Sequence, residues 1–123
     1  MKLPGKALRK SAGPFVFGRQ EQRSSPRQLV SLSALIVSSD FERMVACRIE
    51  DISEGGARLN AADWPLLPRQ FWLIAMPSGL AYPATTVWRR FPNVGVTLNA
   101  PIDLKAPSST EAARRLHACW VGR

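Results

Sequence analysis

The residues in this sequence best suited to chemistry form a polar turn, Asp51-Ile52-Ser53-Glu54-Gly55-Gly56. An ionised Asp51 can accept hydrogen bonds from two adjacent donors of a planar heterocycle, such as the ring N–H and exocyclic amine of guanine. Ser53 adds a hydroxyl two residues on, on the same side of an extended chain, and Gly56 allows a flat ligand to approach the backbone. The same residues also fit an Asx-type turn, in which Asp51 and Ser53 satisfy only local backbone N–H groups.

A second candidate group lies upstream, in Arg23-Ser24-Ser25-Pro26-Arg27. An arginine guanidinium can bind bidentately to the O6 and N7 edge of guanine or to a phosphate. Pro26 disfavours the helical region for Ser25, so the segment is predicted to be extended or turned. Taken alone, Arg23 and Arg27 also fit a solvated basic tail. Their occurrence together with the polar turn is the more specific signal.

Composition limits the function classes that these groups can serve. A length of 123 residues predicts a single domain, and 17 Lys and Arg against 9 acidic residues give a net charge of +8. This charge favours an anionic partner such as nucleic acid, a nucleotide or a membrane surface, with a basic solubility surface as the alternative. Cys47, Cys119 and the single histidine, His117, offer no metal-ligand spacing and no histidine-based triad. We therefore expect no metal, no cofactor and no catalysis.

The chain ends and apolar segments predict location and domain limits. No apolar stretch approaches the roughly 18 residues of a membrane span, and no apolar segment of a secretory signal follows the basic N-terminus. We expect a cytoplasmic protein without membrane insertion. Prolines and glycines interrupt residues 1–18, which are predicted to be a flexible basic tail, and residues 19–123 are predicted to form the folded domain.

Short strands separated by turn signals predict an antiparallel barrel or sandwich. In the second strand, alternation places Val45, Cys47 and Ile49 on the inner face. A terminal helix is predicted from a cap at Ser108, Ser109 or Thr110 to about Trp120, with Leu116 and Trp120 facing the barrel. The strands are predicted at residues 28–37, 45–51, from 57 onward, 71–76, 83–90 and 94–98.

Taken together, these motifs resemble the PilZ domain family. The resemblance rests on Arg23-xxx-Arg27, Asp51-x-Ser53-x-x-Gly56, Val87-Trp88 and Asn93-Val94-Gly95-Val96, and covers roughly residues 19–120. It implies a six-stranded antiparallel β-barrel that binds the bacterial second messenger cyclic di-GMP. The predicted C-terminal α-helix follows this barrel in the chain. The resemblance also implies that the arginine motif lies on an N-terminal loop that wraps the ligand against the barrel, where the Asp51 motif meets a guanine.

Several further residues are candidates for the same site. Some relatives carry an additional arginine immediately before the motif, which is associated with a stacked ligand dimer. Gln22 occupies that position here, so the sequence does not decide whether one or two ligands bind. Arg19, four residues before Arg23, either replaces the missing arginine or only adds to the positive charge near the site. Arg58 can reach a phosphate. Trp88 can stack on a base or donate to it, or it can be a barrel residue packed under the terminal helix.

The expected function is that of a non-enzymatic receptor or adapter. Cyclic di-GMP would change the N-terminal arginine loop and so signal to a downstream protein, for example in motility or biofilm regulation. One alternative is a PilZ-like adapter of pilus or motility machinery that acts by protein contact without nucleotide. Another is a basic barrel that binds RNA or single-stranded DNA with steep salt dependence and little base preference. For the cyclic di-GMP receptor, we expect no specific nucleic-acid partner.

Overall fold

The computed structural model describes residues 28–106 and 110–122. These residues form seven strands and one helix: β1 (Gln28–Ser38), β2 (Met44–Ser53), β3 (Gly56–Asn60), β4 (Gln70–Ala75), β5 (Leu80–Arg90), β6 (Asn93–Leu98), β7 (Ile102–Asp103) and α1 (Glu111–Val121). The six predicted strands and the terminal helix are confirmed, and β7 is an additional strand of two residues. The predicted tail, residues 1–18, lies outside the described residues.

The first six strands close into an antiparallel barrel. Neighbouring strands follow the order β4-β1-β2-β3-β6-β5, and a further pairing between β4 and β5 closes the ring. β7 pairs with Leu80 and Ala81 at the start of β5, before the stretch of β5 that pairs with β6. Closure pairs the edge strands with each other. Of the barrel and the sandwich that the strand pattern allowed, the structure has the six-stranded barrel that the resemblance implied.

Inward-facing side chains from all six strands fill the barrel. Leu59, Leu73 and Ile36 are fully buried in this cluster, and Val45 and Cys47 pack against it, as predicted from alternation. Two residues of the connection between β3 and β4, Trp64 and Leu67, join the same cluster and are buried too.

A second apolar cluster lies outside the barrel, under α1. Its buried members come from several elements: Leu35, Val37, Ile74, Ala81, Leu104 and Leu116. The end of β1 is therefore covered on both faces, because Ile36 points into the barrel while Leu35 and Val37 point toward the helix. Alternation along β1 places Ile36 on the inner face of the strand and carries no information about what covers the other face.

The helix starts and docks through specific contacts. Thr110 caps it, since its Oγ1 accepts a hydrogen bond of 3.2 Å from the backbone N–H of Ala113. Leu116 is fully buried, and the indole Nε1 of Trp120 donates to the carbonyl oxygen of Met76 at 3.0 Å. The predicted orientation of Leu116 and Trp120 is confirmed, and it places α1 over β1, β4 and the start of β5.

Candidate functional site

A bulge in β2 turns Asp51 to the outside of the barrel. Ile49 pairs with Leu59 and Asp51 pairs with Arg58, so Glu50 is an extra residue in β2 relative to β3. Without the bulge, alternation would place Asp51 on the inner face with Ile49, because successive side chains point to opposite faces. With it, Asp51 and Arg58 share the outer face, and Ile52 packs against the core instead.

A second bulge, in β5, does the same for Trp88. Thr86 pairs with Val96 and Trp88 pairs with Gly95, which leaves Val87 as the extra residue. Val96 lies in the barrel core, so its partner Thr86 faces inward, and the bulge turns Trp88 outward. The side chain of Trp88 is 41% exposed.

The two bulges create a continuous row across four adjacent strands. Asp51 of β2 pairs with Arg58 of β3, Arg58 with Gly95 of β6, and Gly95 with Trp88 of β5. Side chains directly opposite each other on one face of a sheet are close enough to act together. With strands about 4.8 Å apart, this outer row spans about 14 Å, the scale of a nucleotide. It combines a carboxylate, a guanidinium and an aromatic face.

Trp88 lies directly against the backbone of Gly95. A Cβ atom placed on Gly95 would come within 2.0 Å of Trp88 Nε1 and 2.2 Å of Cε2. Only glycine leaves the space that the indole occupies. The alternative that Trp88 packs under the terminal helix is wrong, because the cluster under α1 is built from other residues. The indole is held on the outer face with part of its surface exposed.

A polar network around Glu50 holds Arg58. Glu50 Oε1 accepts a hydrogen bond of 3.1 Å from Asn93 Nδ2, and Oε2 accepts one of 3.4 Å from Asn60 Nδ2. The Nε of Arg58 lies 4.0 Å from Glu50 Oε1. Among the described residues, this buried Nε has no hydrogen-bond acceptor, so the carboxylate of Glu50 restrains the guanidinium through charge.

Sequence reasoning missed the three residues of this network: Glu50, Asn60 and Asn93. Alternation from Ile49 already places Glu50 outside the barrel, but it does not show that Glu50 lies beside Asn60 and Asn93. A signal was present in the asparagine that opens the late-strand motif Asn93-Val94-Gly95-Val96, because a polar amide at the start of an otherwise apolar strand needs a partner.

The turn after Asp51 is fixed to the end of β6. Gly55 has a φ of 73°, which favours glycine, and its carbonyl oxygen accepts a 2.7 Å hydrogen bond from the N–H of Leu98. Ser53 pairs with Gly56 across the turn, one outward position beyond Asp51. Asp51 itself is 6% exposed. The glycine that needs the special backbone angle is thus Gly55, whereas Gly56 is a buried strand residue.

The arginine motif and its neighbours, Arg19, Gln22, Arg23 and Arg27, lie outside the described residues. The strand that follows them, however, enters the sheet beside the outer row. Gln28, the residue after Arg27, pairs with Ile52, and Leu29 pairs with Asp51. The chain therefore leads from the arginine motif directly to the strand next to Asp51.

Other reactive groups lie away from the outer row. Burial raises the pKa of the Cys47 thiol to about 12, and His117 lies on α1 with its ring 5.9 Å from that of Trp120. Within residues 28–106 and 110–122, no three His, Cys, Asp or Glu side chains group as metal ligands. The same residues contain no helix that is both long and apolar enough to cross a membrane.

Comparison with known proteins identifies the fold independently. A family model described as PilZ domain matches residues 21–112. The crystal structure of the PilZ domain of CeSA from a cellulose-synthesising bacterium aligns with a TM-score of 0.51 at 16% identity, covering 79% of this chain and 96% of that chain. At this identity the likeness establishes the fold alone. No curated protein matches the chain significantly.

Proposed function

The chain belongs to the PilZ domain family, and we propose that it is a non-enzymatic receptor for cyclic di-GMP. The observation that carries the proposal is the outer row, in which two bulges bring Asp51, Arg58 and Trp88 to one face. The strand that follows Arg23 and Arg27 pairs directly beside this row.

The row offers complementary groups for a guanine. Asp51 supplies two carboxylate oxygens, which can accept from the ring N–H and the exocyclic amine of the base. Ser53 adds a donor and acceptor at the next outward position. Trp88 offers the exposed face of an indole, on which a purine can stack. These groups favour a flat heterocycle with adjacent donors.

The cations of the site suit the two phosphates of the ligand. Arg58 lies in the row beside Asp51, and Glu50 restrains it from the side away from the turn. In this proposal Arg23 and Arg27 add bidentate donors from the N-terminal segment, to a phosphate or to the O6 and N7 edge of a guanine. The barrel thus provides one fixed half of the site, and the arginine segment provides the other.

Ligand binding would then act as a signal by organising residues 19–27 against the barrel. A bidentate contact to guanine is worth about 1–3 kcal/mol, whereas fixing each backbone residue costs about 1–2 kcal/mol. Because ordering the segment offsets much of the gain from several such contacts, we expect an affinity near micromolar, about −8 kcal/mol, and not a much tighter one. The organised segment would change the surface that the domain presents to a downstream protein.

Calorimetric titration with cyclic di-GMP tests the proposal. We expect saturable binding in the wild type, and at least tenfold weaker binding in Arg27→Ala and Asp51→Ala, since each loses a charge-assisted contact. Arg69→Ala and Asp63→Ala are matched controls, because both residues are exposed and lie outside the outer row. GTP and a mixed-sequence RNA serve as competitors. Wild-type affinity in both site variants would overturn the assignment, and a steep loss with salt without guanine preference would favour the nucleic-acid alternative.

A further inference from the structure

Three large apolar side chains are exposed near one end of the barrel. Leu66 is 85% exposed, Phe91 65% and Val87 54%. Leu66 lies in the connection between β3 and β4, Phe91 in the turn between β5 and β6, and Val87 at the bulge of β5. We refer to these three residues as the apolar end patch. Large exposed apolar groups concentrated in one region mark an interaction surface more often than scattered single ones do.

Backbone hydrogen bonds join the segments that carry the patch. The N–H of Ala61 donates to the carbonyl oxygen of Pro92 at 2.9 Å, at the start of the β3–β4 connection. At its end, the N–H of Thr86 donates to the carbonyl oxygen of Arg69 at 2.7 Å. Both ends of the connection are therefore fixed to the β5–β6 hairpin, and the three apolar side chains belong to one rigid unit.

Three arginines flank the patch: Arg69, Arg89 and Arg90, all exposed. Within the described part of the chain, no carboxylate pairs with any of them. Asp63 is an exposed carboxylate in the same connection as Leu66 and Arg69. Two more carboxylates, Asp40 and Glu42, lie in the β1–β2 connection at the same end of the barrel, where Arg43 lies over the ring of Trp64 and Ser39 donates to the carbonyl oxygen of Gln70. Asp40 is engaged within that connection, by Ser38 and by the Glu42 N–H. With Arg43 counted, four arginines lie against three carboxylates at this end, and Asp63 is the one carboxylate in the segments that carry the patch.

We propose that the apolar end patch docks this domain onto an anionic phospholipid bilayer. Leu66 and Phe91 lie in connections between strands and are mostly exposed to solvent. Side chains that insert into the headgroup region of a bilayer must be exposed in this way. The adjacent arginines can bind lipid phosphates while their apolar stems lie along the acyl boundary. A second copy of the chain is a poor occupant, because a two-fold contact would bring unpaired arginines together. Of the three patch residues, only Phe91 offers a stacking surface to nucleic acid, whereas Leu66 and Val87 do not. The inference does not depend on cyclic di-GMP binding.

Co-sedimentation with vesicles tests this surface, using the full chain without nucleotide. Vesicles of phosphatidylcholine alone are compared with vesicles that contain phosphatidylglycerol and phosphatidylcholine in a ratio of about 3:7, where anionic lipid attracts basic side chains. We expect binding to the mixed vesicles and at least tenfold weaker binding to the neutral ones. Leu66→Ser/Phe91→Ser should reduce binding to the mixed vesicles about tenfold or more, because both apolar contacts are lost.

Charge variants separate local recognition from the overall basic character of the chain. Arg89→Gln/Arg90→Gln should weaken binding about 25-fold, since each basic residue near an anionic surface contributes about fivefold. Arg114→Gln/Arg115→Gln removes the same charge from α1, where both residues pair with Glu111, and should have a much smaller effect. Wild-type binding by Leu66→Ser/Phe91→Ser would overturn the proposal, because attraction would then come from charge alone. Equal binding to neutral and mixed vesicles, or no binding to either, would also overturn it.

Discussion

The indole of Trp88 lies so close to Gly95 that a Cβ atom at residue 95 would come within 2.0 Å of Trp88 Nε1. The two residues are direct partners across β5 and β6. Gly95 thereby sets the position of the aromatic face, although it has no side chain to contact a ligand. Gly95 of β6 therefore belongs to the same outer row as Asp51, because it lies between Arg58 and Trp88.

Replacing Gly95 by alanine should weaken cyclic di-GMP binding about tenfold, because the new methyl displaces the indole and a base–aromatic stack is worth about 1–3 kcal/mol. Titration calorimetry measures the loss. Trp88→Ala should have a similar effect, and the double variant Trp88→Ala/Gly95→Ala should bind no more weakly than Trp88→Ala alone. Full additivity of the two changes would show that Gly95 acts by another route.

The carboxylate of Glu50 should matter for binding although it is not expected to touch the ligand. Glu50→Ala removes the charge that restrains Arg58 and leaves Asn93 without its 3.1 Å acceptor. We expect about two- to fivefold weaker binding of cyclic di-GMP, since a partly exposed ion pair is worth about 0.5–1 kcal/mol. Glu42→Ala, which removes an exposed carboxylate from the β1–β2 connection, is the matched control. Equal affinity in wild type and Glu50→Ala would show that Glu50 does not contribute to ligand binding.

Loss of the helix cap should lower stability without affecting the site. Thr110→Ala removes the acceptor for the N–H of Ala113, and such caps contribute about 1 kcal/mol. Urea denaturation should show a lower midpoint with an unchanged slope, while cyclic di-GMP affinity stays at the wild-type value. Reduced affinity would mean that α1 is coupled to the outer row.

Cys47 should be nearly inert toward alkylation. Burial raises the pKa of its thiol to about 12, so at pH 8 only about one part in ten thousand is thiolate, the reactive form. The pKa of the thiol rises because desolvation disfavours the charged thiolate. Iodoacetamide labelling followed by peptide mass analysis should modify the half-buried Cys47 at least tenfold more slowly than an unfolded control. Rapid modification of Cys47 in the folded protein would contradict this burial.

Much of the fold follows from local patterning. Turn residues and alternating apolar positions locate all six barrel strands, and Thr110 was among the predicted helix caps. The pattern did not predict that Leu35 and Val37 are buried, because they are covered by a helix some 75 residues later in the chain. Burial of a strand's second face depends on an element that docks there, and alternation carries no information about it.

The site was predicted in its residue types but not in its geometry. Strict alternation from Ile49 places Asp51 inside the barrel, and strict alternation from Thr86 does the same for Trp88. Bulges at Glu50 and Val87 reverse both. A bulge is stabilised by contacts with neighbouring strands, so a periodic sequence pattern does not reveal it.

The most direct test of the account is an amide chemical-shift titration of the ¹⁵N-labelled chain with cyclic di-GMP. We expect saturable shifts at Asp51, Ser53, Arg58, Trp88 and Gly95, with α1 largely unaffected because it lies over β1 and β4. Saturable shifts confined to α1 or to residues 61–69, or no shifts at millimolar ligand, would contradict it.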